Sequence, residues 1–317
     1  MVRGVLIDLD GVVYVGNRAL PGSLKAIRRI RESGIPFKFI TNTTRRPRRR
    51  IVSDLARLGL SIVAEDLFTP AALARDFLAR QNLVPLLIVH PDLREDFIGL
   101  ATNGGEAVVV GDAGAFFTYD LLNQAYRKIL HGAEFLALAK NRNFLDHDGE
   151  LSLDAGPFVA GLEYASGKVA TVLGKPAPAF FKIAVESMVS GAEDIAMIGD
   201  DAEADVGGAM AAGLQGILVQ TGKYRPGQEM NLPERPTHVV QNLGAATLNS
   251  CYPEQRDALR QLSNAAPSPL ILPGLYGELS QKSSLTAAME ELARGLWILL
   301  LAWPSRTGRI RCRPQLD

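Results

Sequence analysis

Cysteine is almost absent from this chain of 317 residues, which contains only Cys251 and Cys312. Both lie in the last fifth of the sequence, so no disulfide framework can hold the preceding residues together. This cysteine usage is typical of proteins in a reducing compartment, and we predict a cytoplasmic location.

Long apolar runs and an excess of one charge sign are also absent. The longest apolar run near the C-terminus, residues 296–303, is far shorter than the ~20 residues that a membrane span needs. Asp8 and Asp10 interrupt any apolar core of an N-terminal signal peptide, so none is expected. Lys and Arg together number 34, as do Asp and Glu. We therefore expect neither nucleic acid nor a membrane surface as a partner.

The chain has ample material for a hydrophobic core. Its hydrophobic fraction is 47% and its charged fraction 21%, as in an ordinary globular protein. Its length suits two domains, or one domain that carries an insertion.

Strand and helix patterns alternate from the N-terminus onward. Residues 5–7 and 37–40 are short apolar runs, typical of strands buried on both faces. Amphipathic helix patterns follow each run and stop at Gly34 and Gly59. This βαβα order predicts an α/β fold with a doubly wound parallel sheet.

The alternating pattern changes character near residue 82 and regains it near residue 174. The strand patterns between these points are too many for one small sheet, which indicates an inserted domain. We predict three parts: a core of residues 1–81 and 174–250, a smaller inserted α/β domain of residues 82–173, and a C-terminal appendage of unassigned role at residues 251–317.

Two carboxylates, Asp8 and Asp10, directly follow the first apolar run and precede Gly11. On a regular strand their side chains would share one face. Two carboxylates held close together repel each other unless a cation lies between them, and Mg²⁺ prefers oxygen ligands. The spacing alone also occurs at plain strand-to-turn junctions, so it needs support from the rest of the chain.

That support comes from polar residues near the ends of other predicted strands. They are Thr41 with Asn42, Lys175, and the acidic group Asp200, Asp201 and Asp205. Parallel strands bring such residues to one sheet edge. Carboxylates, a hydroxyl with an amide, and a lysine are the groups that phosphoryl transfer requires.

In this order the motifs resemble those of haloacid dehalogenase superfamily phosphatases. The similarity spans about residues 3–248 and points to the class with a larger α/β cap inserted after the second motif. It implies a Rossmann-like core, an inserted cap, Mg²⁺ as cofactor and a small phosphorylated substrate. Segments 41–44, 122–125 and 221–225 resemble one branch of that class more closely.

The resemblance also implies roles for individual residues. Asp8 would attack phosphorus and become an aspartyl phosphate, while Asp10 would act as general acid and then as general base. Dehalogenases of this superfamily lack an acid at the position of Asp10, so its presence here favours a phosphatase. Thr41, the backbone at Asn42, and Lys175 would bind the transferred phosphoryl group.

For the metal, the resemblance implies the Asp8 carboxylate, the Asp10 backbone carbonyl and Asp200 as ligands. Asp205 would orient these ligands, and Asp201 is a lower-ranked candidate for a role at the site. A simpler interpretation of Asp200 and Asp201 is that they cap the helix that follows, which does not exclude metal binding.

Two other charged segments have ordinary interpretations. The arginines of segment 45–50 are interpreted as a solvated helix face in preference to a phosphate-steering or nucleic-acid surface. The segment 146–150, with three acids and a histidine, is interpreted as a hairpin turn in preference to a metal site.

The leading functional hypothesis is a Mg²⁺-dependent phosphatase that acts on a small phosphorylated compound through an aspartyl phosphate. Two alternatives on the same fold stay open: a phospho-acceptor module and a non-catalytic binding protein. The substrate is not predictable from the motifs, and a homodimer is left open.

Overall fold

The structure is a computed structural model that describes residues 2–145, 150–188 and 191–251. Within them the strands are β1 Gly4–Asp8, β2 Tyr14–Val15, β3 Arg18–Ala19, β4 Phe37–Ile40, β5 Leu67–Phe68, β6 Leu83–Ile88, β7 Gly105–Val110, β8 Glu134–Ala137, β9 Asn143–Leu145, β10 Leu151–Leu153, β11 Thr171–Val172, β12 Ile195–Gly199, β13 Gln215–Val219 and β14 His238–Val240. The helices are α1 Ser23–Glu32, α2 Arg48–Arg57, α3 Pro70–Arg80, α4 Tyr119–Leu130, α5 Ala155–Ser166, α6 Pro178–Glu186, α7 Gly208–Ala211 and α8 Leu243–Cys251.

The larger sheet has six parallel strands in the order β14-β13-β12-β1-β4-β5. Its central strand, β1, is buried along its whole length, as expected for a strand covered on both faces. The predicted α/β fold with a parallel, doubly wound sheet is confirmed.

Alternate residues of β1 supply the two hydrophobic cores on either side of this sheet. Val5 and Ile7 belong to one cluster, which includes buried residues of α1, α2 and α8. Leu6 belongs to the other, where Phe180 and Phe181 of α6 pack with their rings 5.9 Å apart. The period-two alternation of a strand therefore places one helical layer on each face.

The strands between β5 and β12 in sequence form a second parallel sheet, in the order β11-β8-β7-β6. One face packs against α4 and α5. The other face packs against α3 and the 3₁₀ segment Pro91–Phe97. Because Ala71, Ala74 and Leu78 of α3 lie in this second core, that helix packs on the smaller sheet although it precedes residue 82. The assignment of this sheet to a separate cap domain stays a prediction.

Strands β9 and β10 form an antiparallel pair on either side of residues 146–149. The predicted turn itself, with Asp146, His147 and Asp148, lies outside the described residues, as does the appendage beyond residue 251. In the part of the chain that the structure describes, no helix is both long and apolar enough to cross a bilayer.

The arginine-rich segment connects the two sheets, so its interpretation as a solvated helix face holds only in part. Arg49 and Arg50 are exposed on α2, whereas Arg45 precedes that helix and is half-buried. Arg45 Nε lies 2.5 Å from Asp112 Oδ2, and its guanidinium carbon lies 4.5 Å from the centre of the Phe144 ring. The neighbouring Thr44 Oγ1 accepts a hydrogen bond from the backbone N of Asp112 at 3.1 Å. We call these contacts of Thr44 and Arg45 with Asp112 the clasp.

Two further contacts of the same segment are made with Pro91–Phe97, which packs on the smaller sheet. Arg49 Nε lies 2.7 Å from Glu95 Oε1, and the backbone N of Arg48 donates to Asp96 Oδ2 at 3.0 Å. By contrast, Arg50 pairs with Asp54 of its own helix at 3.1 Å.

We predict that Arg45→Gln destabilises the chain more than Arg50→Gln does. Asp112 is buried, so loss of its cation leaves an uncompensated charge that costs about 1–3 kcal/mol of unfolding free energy. The exposed pair at Arg50 contributes under about 1 kcal/mol. Urea unfolding of both variants tests this, and equal losses would contradict the clasp.

Candidate functional site

The strand order places the predicted site residues side by side at one sheet edge. β12, β1 and β4 are adjacent, and their carboxyl ends lead to Asp200, Asp8 and Thr41 respectively. Asp8 lies between the other two, as predicted from the ends of parallel strands.

Lys175 joins two of the acids. Its Nζ contacts Asp8 Oδ1 and lies 2.5 Å from Asp205 Oδ1. All three residues are at least 95% buried. The two carboxylates hold the pKa of Lys175 above its ordinary value although burial opposes this, so the ammonium stays charged.

Asn42 fixes the backbone of Lys175 through two hydrogen bonds. Its Nδ2 donates to the carbonyl of Lys175 and its Oδ1 accepts from the backbone N of Lys175, both at 2.8 Å. The amide side chain therefore positions Lys175. This role is additional to the phosphate contact predicted for the backbone of Asn42. Thr41 is buried beside it, and its Oγ1 lies 2.9 Å from Thr43 Oγ1.

Asp205 orients the acidic turn from a π-helical segment, Ala202–Gly207. Its Oδ2 accepts hydrogen bonds from the backbone N of Asp200 at 3.2 Å and of Asp201 at 3.1 Å. Glycine is required at position 199, because a Cβ there would collide with the side chain of Asp205. With both oxygens engaged, Asp205 suits the orienting role predicted for it.

Asp200 and Asp201 differ in what they contact. Asp200 is buried, and its Oδ2 accepts from the backbone N of Lys223 at 2.6 Å. Burial, reinforced by Asp205, raises the pKa of Asp200 to about 7. Asp201 caps the following helical turn, since its Oδ1 accepts from Ala204 N at 2.9 Å. The capping interpretation therefore holds for Asp201 and not for Asp200.

Asp10 is exposed to solvent, unlike the acids around it. Partial burial of its carboxyl nevertheless raises the pKa of Asp10 above the ordinary value, although the charges of Lys223 and Arg46 oppose this shift. Because it is exposed, Asp10 can be reached by solvent or by a ligand. A raised pKa favours the protonated form that a general acid needs.

The carboxylates of Asp8, Asp200 and Asp205 each place an oxygen within 4.8 Å of the others. Of the predicted metal ligands, Asp8 and Asp200 are brought together. The Asp10 carboxyl is not part of this cluster, in keeping with the predicted use of its backbone carbonyl. Burial raises the pKa of Asp8 well above its ordinary value even though Lys175 opposes the shift. Three carboxylates against one ammonium leave negative charge uncompensated, and a hard divalent cation fits this all-oxygen donor set.

The sequence patterns predicted no role in the site for three of its neighbours, Tyr14, Arg46 and Asp154. Burial raises the pKa of the Tyr14 phenol to about 12, and the nearby charge of Arg46 opposes this shift. Asp154, which caps α5, is close enough for Lys223 to influence its pKa. Segment 221–225 is distinguished in the sequence only by its resemblance to one branch of the class. Its contacts with residues 11 and 200 depend on chain proximity that no local pattern reveals.

Two family models match the chain. A model described as haloacid dehalogenase-like hydrolase matches residues 5–103, and one described as HAD-hydrolase-like matches residues 172–246.

Relatives with longer alignments agree with these models. The chain is 40% identical to haloacid dehalogenase-like hydrolase domain-containing protein 2 of Bos taurus, over 74% of this chain and 90% of that protein. It is 38% identical to phospholysine phosphohistidine inorganic pyrophosphate phosphatase of Homo sapiens, over 77% of this chain and 93% of that protein.

A solved structure shows the same similarity in three dimensions. Glycerol phosphate phosphatase from Mycobacterium tuberculosis, in complex with magnesium, superposes with a TM-score of 0.67 and is 29% identical. The match covers 77% of this chain and 75% of that one. The resemblance predicted from the motifs is confirmed: the chain belongs to the haloacid dehalogenase-like hydrolases.

Proposed function

We propose that this hydrolase is a Mg²⁺-dependent phosphatase that cleaves a small phosphorylated compound through an aspartyl phosphate on Asp8. The observation that carries the proposal is the buried cluster of Asp8, Asp200 and Asp205 around Lys175, with the exposed Asp10 alongside. The similarity to a phosphatase and to a structural neighbour in complex with magnesium supports it.

Asp8, Asp200 and the backbone carbonyl of Asp10 would hold the metal. When bound, Mg²⁺ would compensate the negative charge of the phosphoryl group and of the carboxylates. Lys175 holds Asp8 Oδ1, which leaves Oδ2 as the attacking oxygen.

In the first half of the reaction, Asp8 Oδ2 forms a bond to phosphorus as the bond to the leaving oxygen breaks. Asp10 donates its proton to that leaving oxygen, which its raised pKa favours. Thr41 and the backbone at Asn42 bind the oxygens of the transferred group, while Lys175 stabilises its charge.

In the second half, a water molecule attacks the phosphorus of the aspartyl phosphate. Asp10, now deprotonated, accepts the proton of this water. The bond between phosphorus and Asp8 breaks, which releases phosphate and regenerates the carboxylate. Asp10 therefore separates a turnover enzyme from a lasting phospho-acceptor.

The smaller sheet would act as a cap on this site. Its strands β7 and β8 end at residues 110 and 137, and the clasp at Asp112 faces the segment that follows Thr41. We assign residues 82–173 to the cap, and residues 1–81 and 174–250 to the catalytic core. Specificity would then depend on cap loops at this edge, and a cytoplasmic phosphorylated metabolite is the expected substrate class.

We predict that Asp8→Asn abolishes phosphate release from 4-nitrophenyl phosphate. Loss of the nucleophile should lower kcat by roughly 10³-fold or more, and chelation of Mg²⁺ should have a comparable effect on the unmodified chain. Asp76→Asn, at an exposed acid on α3, is the matched control and should leave activity unchanged.

The same assay separates the alternatives. Activity that survives Asp8→Asn would contradict the proposed mechanism. Phosphate that stays on Asp8 for minutes in the unmodified chain would favour the phospho-acceptor. Absence of both turnover and acyl phosphate would favour a binding protein.

We also predict that Mg²⁺ stabilises the chain more at pH 8 than at pH 6. The pKa of Asp200 is raised to about 7 in the folded metal-free chain, so at pH 6 a proton competes with the cation. The apparent affinity should increase about tenfold between these pH values, and the stabilisation should increase with it. Without metal the sign is opposite, because a raised acid pKa makes stability fall as pH rises through about 7.

Thermal unfolding over a Mg²⁺ titration at both pH values measures this effect. Asp200→Asn should remove most of the stabilisation, whereas Asp76→Asn should retain it. An apparent Mg²⁺ affinity that is the same at pH 6 and pH 8 would contradict the role of Asp200.

A further inference from the structure

The loop of residues 221–223 is fixed against the site by three contacts. Thr221 Oγ1 donates to the carbonyl of Gly11 at 2.5 Å, and the backbone N of Lys223 donates to Asp200 Oδ2 at 2.6 Å. Gly222, with φ +57°, packs so closely that a Cβ would lie 2.5 Å from Gly11 Cα and would collide with Asp200. The backbone of Lys223 therefore has a defined position beside the proposed metal ligand.

The side chain of Lys223 leaves this fixed backbone and is largely exposed to solvent. Its Nζ lies 3.6 Å from Asp201 Oδ2. Its loop contacts Gly11, the residue after Asp10, and its charge lowers the pKa values of Asp10 and Asp154 against the larger effect of burial. The charge of Asp154 is compensated locally, since its carboxylate accepts from Ala155 N and from Asn141. Lys223 thus belongs to a loop that contacts both Asp200 and the residue next to the proposed general acid.

Lys223 is a basic side chain beside the site that a ligand can recruit easily. Four others around the site each lie within 3.2 Å of a carboxylate: Lys175, Arg45, Arg46 and Lys140. The ion pair of Lys223 is longer, at 3.6 Å, and 64% of its side chain is exposed. An exposed pair of this kind contributes little to stability, so an incoming anion can replace Asp201 at little cost.

We propose that the ammonium of Lys223 binds an anionic group on the leaving portion of the substrate. The preferred substrates are then phosphate monoesters or anhydrides whose leaving group carries a carboxylate or a second phosphate. This inference rests on the proposed phosphatase function, because that function places the leaving oxygen at Asp10. The transferred phosphoryl group does not need Lys223, since Lys175 is buried at Asp8 to stabilise it.

A series of aryl phosphates that differ in the charge of the para substituent tests the proposal. The compounds are 4-carboxyphenyl, 4-methylphenyl and 4-(aminomethyl)phenyl phosphate, with pyrophosphate as a separate substrate for a second phosphate group. With Mg²⁺ present, kcat/KM should be about tenfold higher for the carboxylate than for the methyl compound, and lowest for the amine.

Lys223→Gln should reduce this preference about tenfold, chiefly through KM, whereas Lys223→Arg should retain it. Lys168→Gln is the matched control, because Lys168 is exposed in the loop before β11, at the end of that strand away from the site. It should leave the preference unchanged. A similar loss of kcat/KM for pyrophosphate in Lys223→Gln would show that the site recognises phosphate as well as carboxylate.

Equal kcat/KM across the charge series in the unmodified chain would overturn the proposal. So would a Lys223→Gln variant that slows all three aryl phosphates by the same factor. Calorimetry with inert 4-carboxyphenylphosphonate and phenylphosphonate gives a readout without turnover. Selective binding that depends on Lys223, but without phosphate release from any compound, would contradict the proposed function and leave the anion site standing. Equal binding of both phosphonates would overturn the anion site itself.

Discussion

The ammonium of Lys175, buried between Asp8 and Asp205, is the interaction on which the rest of the site depends. Two buried carboxylates without a cation would repel each other, and breaking such a contact by removing one partner typically costs several kcal/mol. The lysine therefore connects strand β1 to the helical turn after β12. Since Asp205 also accepts from the backbone of Asp200, the position of the third acid depends indirectly on the same ammonium.

The same lysine connects the two sheets. It follows β11 of the smaller sheet by only three residues, and its backbone is held by Asn42 from the larger one. A segment that leaves the smaller sheet thus ends in the centre of the charge network. The clasp between Arg45 and Asp112 fixes a second point, three residues after Asn42. Contacts with the smaller sheet therefore begin within a few residues of the groups proposed to bind phosphate.

The sequence was sufficient where function and strand end coincide. Asp8, Thr41 and Asp200 each follow an apolar run, and parallel strands bring such positions together without further information. It was insufficient where one helix packs against two different cores. Helix α3 packs Ala74 and Leu78 on the smaller sheet but Leu73 on the core of the larger one, so no single apolar stripe marks it. The partner of Arg45 was equally hidden, because Asp112 is distant in sequence and charge patterns do not specify long-range pairs.

Burial divides the charged residues of this site into two groups with different functions. Asp8, Lys175 and Asp205 are nearly inaccessible, so their charges act strongly on one another and their geometry is fixed. Such groups suit chemistry that is the same for every phosphate ester. Asp10 and Lys223 are exposed, so their charges are screened until a ligand displaces water. Discrimination between substrates is therefore expected to come from this exposed group. The motifs that identify the family consequently say little about the leaving group, whereas the proposed contact of Lys223 concerns that group directly.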